Sequence, residues 1–341
     1  MTFESLPRHE RIGHLLAVRP YLVADGATGT NLFARGLETG DAPELWNDDH
    51  PERILEHHQA MIEAGSDIIL TNSFGGTRHR LKLHKAETRA AALNRRAAAL
   101  AREVAEAAPR PILVAGSIGP TGEIIEPIGA LAKDDAVAAF REQAEALAVG
   151  GADLIWIETM SSKEEAGAAI EGAAGCGLPI VCTMTFDTNG RTMMGLTPEA
   201  VAGFYDSCEP RLAACGANCG NGFGELVAAV AGIAGACGTD RVLVAKANCG
   251  VPQYVDGEIR YTGTPELMKT YARFARDAGA RIIGGCCGST PQHIAALVEA
   301  LDGYDPGPRP SLEAIDGALG LNRVAVPEGS RRERRSRRRE G

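Results

Sequence analysis

The chain has 341 residues, 45% of them hydrophobic, which is enough for one large domain or two ordinary ones. Its net charge of −9 is unevenly distributed along the chain. Residues 330–341 contain seven Arg and two Glu, a net charge of +5, so the remainder carries −14. An acidic body argues against a nucleic-acid-binding surface, and no apolar run approaches the roughly 18 residues that a membrane span needs.

Residues 1–10 are polar and lack the apolar stretch of a secretory signal, so we expect a cytoplasmic protein. In a reducing compartment the nine cysteines should be thiols or metal ligands rather than disulfides. The Arg-rich tail has no apolar residues to bury, and we therefore expect it to be disordered.

Short aliphatic or β-branched runs alternate along the chain with stretches of helical character. Eight runs are predicted as strands, at 21–23, 67–71, 112–115, 154–157, 180–185, 213–217, 242–245 and 281–283. The helical stretches are 51–64, 88–107, 134–149, 162–174, 198–205, 223–236, 265–277 and 291–301. Strands that alternate with helices pair in parallel through right-handed crossovers.

Eight such units in about 300 residues predict a single-domain (β/α)8 TIM barrel over 10–304. An open doubly wound sheet is the alternative, but it usually carries a G-x-G-x-x-G loop after its first strand, and residues 25–30 lack that spacing. The Gly/Pro-rich segment 302–310 marks the domain edge. We predict a mostly disordered extension over 305–341, with a short helix within 311–326 packed outside the barrel.

Polar residues follow the carboxyl ends of most predicted strands, where the active sites of such barrels lie. The segments are 25–26, 72–76, 117–122, 158–159, 218–220, 246–250 and 286–287. In a closed barrel they converge on one mouth although they span the chain. Polar groups at one end of apolar strands would destabilise the fold unless a site used them.

Three cysteines, Cys219, Cys286 and Cys287, close the sixth and eighth strands, which lie near each other in a closed barrel. Three thiolates leave one tetrahedral position open, which is typical of a catalytic zinc, and the neighbouring glycines permit the turn that adjacent ligands need. Small buried hydrophobes or a vicinal redox pair are the alternatives. Cys215 and Cys249 are further candidate ligands nearby.

A zinc ion on three thiolates is a weak Lewis acid, well matched to a fourth sulfur ligand whose pKa it lowers. Asp25 and Glu158 are acidic groups at the same mouth and suit a substrate ammonium. The alternative is that both are ordinary exposed loop carboxylates. Glycine-rich turns with Ser73 suit a carboxylate. Together these residues describe an amino-acid thiol as the substrate of a sulfur alkylation.

Six motifs in combination resemble the zinc-dependent homocysteine S-methyltransferases. This family includes betaine–homocysteine methyltransferases, S-methylmethionine-dependent enzymes and the homocysteine-binding module of cobalamin-dependent methionine synthase. The resemblance covers 22–296, and its motifs each stand at a strand end: Asp25-Gly26-Ala27-Thr28-Gly29-Thr30, Thr71-Asn72-Ser73-Phe74, Gly116-Ser117-Ile118-Gly119-Pro120, Ile157-Glu158-Thr159, Gly216-Ala217-Asn218-Cys219 and Gly284-Gly285-Cys286-Cys287-Gly288.

The resemblance implies a TIM barrel that holds one zinc ion per chain on Cys219, Cys286 and Cys287, with the homocysteine sulfur as fourth ligand. The implied reaction transfers a methyl group to the homocysteine thiolate and gives methionine.

The same resemblance implies the substrate contacts. Asp25 and Glu158 match positions that bind the homocysteine amino group, and Gly26 belongs to the same substrate site. The turn of Asn72 and Ser73 matches the segment that holds the homocysteine carboxylate.

The methyl donor is predicted from fewer residues. A quaternary ammonium needs aromatic faces, and Trp46 stands in the first βα loop, where the betaine enzymes carry a cage tryptophan. The family's tyrosine after the second-strand phenylalanine is Gly75 here. Tyr254 and Tyr261 in the seventh loop are candidate replacements, or else ordinary loop aromatics.

We predict glycine betaine, or a related onium compound such as dimethylsulfonioacetate, as the donor. The alternatives are a methylated corrinoid protein acting in trans and S-methylmethionine. A function of another class, a zinc-sensing or thiol-redox protein, would use the same cysteines, but the acidic residues at the same mouth speak against it. The predicted partners are small molecules without nucleic acid or membrane, and a homo-oligomer is compatible with the sequence.

Overall fold

The computed structural model describes residues 3–238, 240–255 and 258–321. Eight parallel strands form its barrel, in the sheet order β1-β10-β7-β6-β5-β4-β3-β2. A parallel bridge between Ala24 and Ile68 joins the two ends of this sheet. The predicted TIM barrel is therefore confirmed, with strands β1 Leu22–Val23, β2 Ile68–Leu70, β3 Leu113–Ile118, β4 Leu154–Met160, β5 Ile180–Met184, β6 Ala214–Cys219, β7 Leu243–Ala247 and β10 Ala280–Gly285.

Helices surround the barrel and connect its strands. Several begin at a Ser or Thr whose side chain accepts a hydrogen bond from the first turn, as Ser162, Thr197 and Thr264 do. The helices are α1 Arg8–Val18, α2 Gly29–Phe33, α3 Trp46–Asp49, α4 Pro51–Glu63, α5 Arg78–Leu81, α6 Ala90–Ala107, α7 Lys133–Gly150, α8 Lys163–Ala173, α9 Pro198–Asp206, α10 Phe223–Ala236, α11 Pro265–Asp277, α12 Pro291–Leu301 and α13 Leu312–Leu319.

Several elements were not predicted from the sequence, among them helices α1, α2, α3 and α5 and one hairpin. Helix α1 closes the amino-terminal end of the barrel, because Ile12 and Leu15 join the cluster of side chains that fills its interior. An antiparallel hairpin, β8 Pro252–Val255 and β9 Glu258–Tyr261, stands in the loop after β7. These additions leave the barrel strands in the predicted order.

The first part of the C-terminal extension packs on the barrel. Helix α13 contacts α10 and α11 and buries Ile315 completely, in agreement with the helix predicted within 311–326. Residues 322–341, which include the Arg-rich tail that we expected to be disordered, lie outside the described residues. Of the helices described, none has the length and apolar character that crossing a membrane requires.

Candidate active site

The three predicted metal ligands meet at the carboxyl end of the barrel. Cys219 ends β6, Cys286 and Cys287 follow β10, and β7 lies between these strands in the sheet. The three sulfur atoms all lie within 4.8 Å of one another. This spacing fits three ligands of a single metal ion, since a tetrahedral site leaves room for one more.

Local backbone geometry and one amide side chain present these thiols. Cys219 has a φ of +63°, which a non-glycine residue seldom adopts, so the chain turns sharply at the end of β6. Asn248, after β7, donates a hydrogen bond from Nδ2 to the main-chain oxygen of Gly220 at 2.6 Å and accepts one at Oδ1 from the Cys287 N–H at 3.0 Å. A single side chain therefore ties together the two loops that carry the sulfur atoms.

The two alternative cysteines lie elsewhere. Cys215 is fully buried in β6 among core side chains. Cys249 is also fully buried, against Gly263 in the loop after the hairpin. Among the described residues, the cluster of possible metal ligands consists of the three cysteines at the strand ends.

Contact between the thiols spreads their pKa values apart. Hydrogen bonds that Cys219 and Cys286 donate to its sulfur lower the pKa of Cys287 to about 3. The pKa of Cys286 rises to about 11, because its hydrogen bond to Cys287 and its burial outweigh the hydrogen bond it shares with Cys219. A metal that binds the cluster must displace thiol protons, so metal affinity should fall at low pH.

Asp25 follows β1 and is 0% exposed. Its Oδ2 accepts a hydrogen bond from the Leu70 N–H at 2.7 Å. Lys246 Nζ lies 3.3 Å from Oδ1, but without hydrogen-bond geometry, so Oδ1 has no hydrogen-bond partner within the described structure. Burial raises the pKa of Asp25, and the charge of Lys246 opposes that rise.

Glu158 lies near the end of β4 and lines the cavity above the thiols. Ser117 Oγ donates a hydrogen bond to its Oε1 at 2.6 Å. Burial raises the pKa of Glu158 to about 7. Thr159 has a φ of +63°, a strained conformation for a β-branched residue, and its N–H donates to Asn218 Oδ1 at 2.7 Å. The backbone that presents Glu158 is therefore held from β6.

Gly26 shows why glycine follows Asp25. A Cβ at this position would lie 2.6 Å from the main-chain oxygen of Ser289. The loops after β1 and β10 are consequently in direct backbone contact, which brings Asp25 close to the Cys286 loop.

Asn72 and Ser73 line the cavity, but their side-chain donors are already engaged. Asn72 Nδ2 donates to the main-chain oxygen of Pro43 at 2.7 Å and to Asn47 Oδ1 at 3.1 Å. Ser73 Oγ donates to the main-chain oxygen of Ser117 at 2.7 Å. These side chains shape the wall of the site and fix the loop after β1 against β2.

A cavity of about 410 Å³ connects the thiols to the barrel mouth. Asp25 is not among the described residues that line it, although Gly26 is. The inner wall contains the three thiols, Glu158 and Lys246, and the outer wall contains Phe33, Asp41, Glu44, Phe74, Arg80 and His84.

Trp46, one of the predicted donor residues, packs in an apolar cluster rather than at the cavity wall. Trp46 is 7% exposed and belongs to a small apolar cluster that includes Leu32 and Ile54, and the guanidinium of Arg53 lies 4.8 Å from its ring centroid. The ring therefore packs under a cation of the protein, and its role at a donor site stays a prediction. Trp46 is not among the described residues that line the cavity.

Of the two tyrosines in the seventh loop, Tyr261 is the one whose side chain the structure describes. Tyr261 packs against Gly288, and its hydroxyl donates a hydrogen bond to the sulfur of Cys287, so it lies beside the thiols rather than at the outer wall. The side chain of Tyr254 lies outside the described structure.

Glu44 was missed by the sequence analysis. Its Oε1 accepts a hydrogen bond from the Gly75 N–H at 2.6 Å, and a Cβ at Gly75 would lie 2.9 Å from the same oxygen. A buried carboxylate thus occupies the space beside the residue where the resemblance led us to expect a tyrosine. The departure at Gly75 was the available signal, but it did not show which side chain replaces the ring.

A family model agrees with this arrangement. The model described as homocysteine S-methyltransferase matches residues 22–301. The chain belongs to the homocysteine S-methyltransferase family. The match spans the whole barrel and includes every residue of the thiol cluster.

Solved structures of one homocysteine methyltransferase show the same fold. The homocysteine methyltransferase MmuM from Escherichia coli is 29% identical in its oxidised and metallated forms, with TM-scores of 0.69 and 0.70. These matches cover 84% and 83% of this chain and 98% and 97% of MmuM. The apo form of MmuM is 28% identical with a TM-score of 0.66, and the match covers 85% and 99% of the two chains.

Proposed function

We propose that this protein uses zinc to transfer a methyl group from an onium donor, first among them glycine betaine, to the thiolate of homocysteine, giving methionine. The observation that carries the proposal is the set of three thiol sulfurs within 4.8 Å, at the inner end of a cavity whose wall also holds Glu158. An amino-acid thiol has both the soft sulfur and the ammonium that these groups recognise.

Cys219, Cys286 and Cys287 would hold one zinc ion per chain. Soft thiolate donors in a compact set of three suit zinc with one position open to substrate. The existence of a metallated form of MmuM supports a metal in this family. When bound, zinc in this donor set lowers the pKa of a coordinating thiol, so that a thiolate nucleophile exists at neutral pH.

The side chains of the inner wall would bind and orient homocysteine. Glu158, with Asp25 directly behind the wall, attracts the substrate ammonium. The Asn72–Ser73 turn supplies main-chain contacts for the carboxylate, since its side-chain donors are engaged elsewhere. Holding both charged groups places the sulfur toward the thiol cluster and leaves its outer side open to the donor.

The outer wall suits a methyl donor that is a cation with a carboxylate. Phe74 is 37% exposed and offers an aromatic face, while Asp41 and Glu44 carry negative charge near it. Arg80 and His84 line the same part of the cavity and suit the donor's carboxylate. Betaine, dimethylsulfonioacetate and S-methylmethionine all have this charge pattern, so the wall favours an onium donor over a corrinoid protein.

The transfer is a single displacement. The homocysteine sulfur forms a bond to the methyl carbon as the bond from that carbon to the onium atom breaks. The onium atom keeps the bonding electron pair and loses its positive charge, so betaine leaves as dimethylglycine. Desolvation in the cavity favours this step, because charge is neutralised in it.

A donor panel tests the proposal. Purified protein is incubated with homocysteine and, separately, betaine, dimethylsulfonioacetate, S-methylmethionine or methylcobalamin, and methionine is measured by mass spectrometry. We expect methionine with betaine above the other donors. Methionine only with methylcobalamin would reassign the donor. Protein that yields no methionine, contains no zinc and carries a Cys286–Cys287 disulfide would instead be a thiol-redox protein.

A further inference from the structure

Lys246 is a buried cation in the cavity wall, and neither the sequence analysis nor the proposed function gives it a role. It stands in β7, between the strand of Cys219 and the strand that precedes Cys286. Its side chain is 3% exposed, yet it lines the cavity with the three thiols and Glu158. Lysine is seldom this deeply buried unless its charge is compensated.

The ammonium of Lys246 has two neighbours on the loop after β1. Nζ donates a hydrogen bond to the main-chain oxygen of Gly26 at 3.2 Å and lies 3.3 Å from Oδ1 of Asp25. The Leu70 N–H holds the other carboxylate oxygen at 2.7 Å. Lys246 and β2 therefore fix the carboxylate of Asp25 from two sides, while Oδ1 keeps its capacity to accept a hydrogen bond.

The surroundings keep Lys246 charged. Burial by itself lowers its pKa, but the negative charges of Asp25, Cys286 and Glu158 raise the pKa above its ordinary value. The cation is thus a permanent part of the cavity and needs no change of protonation to act.

A fixed positive charge offsets two unfavourable electrostatic effects in this cavity. Three sulfurs and two carboxylates concentrate negative charge where an anionic thiolate has to bind. Buried carboxyl groups without a nearby cation take up protons, and a neutral carboxyl no longer attracts a substrate ammonium. An ammonium beside Asp25 and close to Glu158 opposes both effects.

We propose that Lys246 is a positioning residue of the homocysteine site, whose ammonium holds the Asp25-Gly26 loop against β7 and keeps Asp25 charged for substrate binding. The inference rests on the proposed function, because it takes homocysteine as the ligand. An ion pair that only supports the fold would change stability without changing ligand affinity.

The test is a double-mutant cycle of Lys246→Met, Asp25→Asn and both together. Zinc-loaded protein is titrated calorimetrically with homocysteine in the absence of donor, and zinc per chain is measured. We expect Lys246→Met to weaken binding about ten- to hundredfold at unchanged zinc content. Because Lys246 acts through Asp25, the double variant should bind no more weakly than Asp25→Asn alone. Wild-type affinity in Lys246→Met, or additive losses, would overturn the proposal.

Lys133→Met is the matched control. It removes a lysine from an exposed ion pair, 2.7 Å from Glu171, and should bind homocysteine as the wild type does. If Lys246→Met does not fold, the double variant, which leaves no unpaired buried charge, is compared with Asp25→Asn alone, and a further loss contradicts the proposal. Wild-type protein that fails to bind homocysteine would overturn the proposed function itself, whereas a weakened variant beside a binding wild type isolates Lys246.

Discussion

Buried carboxylates occur at both ends of the barrel, but their partners differ. At the amino-terminal end, Asp67 precedes β2 and accepts hydrogen bonds from Arg19 and Arg110 at 2.6 and 2.9 Å. Asp153 precedes β4 and is bound by Arg11 at 2.9 Å, by Arg102 and by a main-chain N–H. Both oxygens of Asp67 and both oxygens of Asp153 are thus matched by donors of the protein, including the Val23 N–H at Asp67 Oδ2.

The buried carboxyl groups at the carboxyl-terminal end are less completely paired. Asp25 has one oxygen without a hydrogen-bond partner in the described structure, and one lysine serves it where two arginines serve Asp67. Burial raises the pKa of Glu158 to about 7, so this carboxyl is poised near neutrality. Incomplete pairing of buried charges costs stability.

The difference separates fold from function. Charges at the amino-terminal end stabilise the barrel, in line with the general division of labour in this fold. At the other end, Asp25 keeps one oxygen without a hydrogen-bond partner within the described structure. Substitutions at the two ends should therefore have opposite signatures, one in the free energy of unfolding and the other in ligand binding.

The largest expected effect is at the thiols. Cys286→Ser should lose zinc and all measurable methionine formation while its circular dichroism stays that of the wild type, because a hydroxyl is a poor zinc ligand. Metal analysis and the donor assay check this. Cys176→Ser, at a cysteine outside the cluster, is the control and should keep both properties. Full activity in Cys286→Ser would remove the metal centre from the account.

Asp153→Asn should cause the next largest effect, at the opposite end. It leaves two partly buried arginines without their fully buried carboxylate, and we expect the free energy of unfolding to fall by up to about 3–5 kcal/mol. Urea denaturation measures the loss. The KM for homocysteine should stay within about twofold of the wild type, and a large change in KM with normal stability would erase the contrast between the two ends.

Glu158→Gln should show the reverse signature. Losing a charge-assisted contact to the substrate ammonium costs about 1.5–3 kcal/mol, so the Kd for homocysteine should rise about ten- to a hundredfold. The free energy of unfolding at pH 8 should be unchanged or higher, because a buried carboxylate that resists ionisation has been removed. Unaltered homocysteine affinity would exclude Glu158 from the ammonium site.

The pH dependence of binding gives the smallest effect. Below about pH 7 Glu158 takes up a proton and loses its charge, so wild-type affinity for homocysteine should fall up to tenfold for each pH unit below that value. Thiol ionisation also varies with pH, but it does so equally in Glu158→Gln. Titrations of both proteins from pH 8 to pH 6 should therefore converge at low pH, and parallel profiles would contradict the assignment.

The barrel was predictable because its signal is local. Each strand is a short apolar run bounded by turn residues, and each long helix has its own apolar face, so their order already implies parallel pairing. The thiols and carboxylates were predictable for the same reason, since Cys219, Glu158 and Cys286 each stand at or beside a strand end. Barrel closure converts these separate positions into one site.

Residues whose role depends on side-chain direction were not predictable. Asn248 and Lys246 stood in a recognised strand-end segment, but nothing in the sequence shows that one bridges two loops and the other pairs with Asp25. The position of Trp46 in the first βα loop likewise does not show that its ring packs in an apolar cluster under Arg53. Such contacts join distant parts of the chain and have no periodic pattern.

X-ray absorption at the zinc edge, with and without homocysteine, tests the central claim most directly. The account predicts one zinc ion per chain with three sulfur ligands in the free protein and four after homocysteine is added. The fourth sulfur should be absent when serine replaces homocysteine in the sample. A protein without zinc, or a sulfur count that stays the same on adding homocysteine, would contradict it.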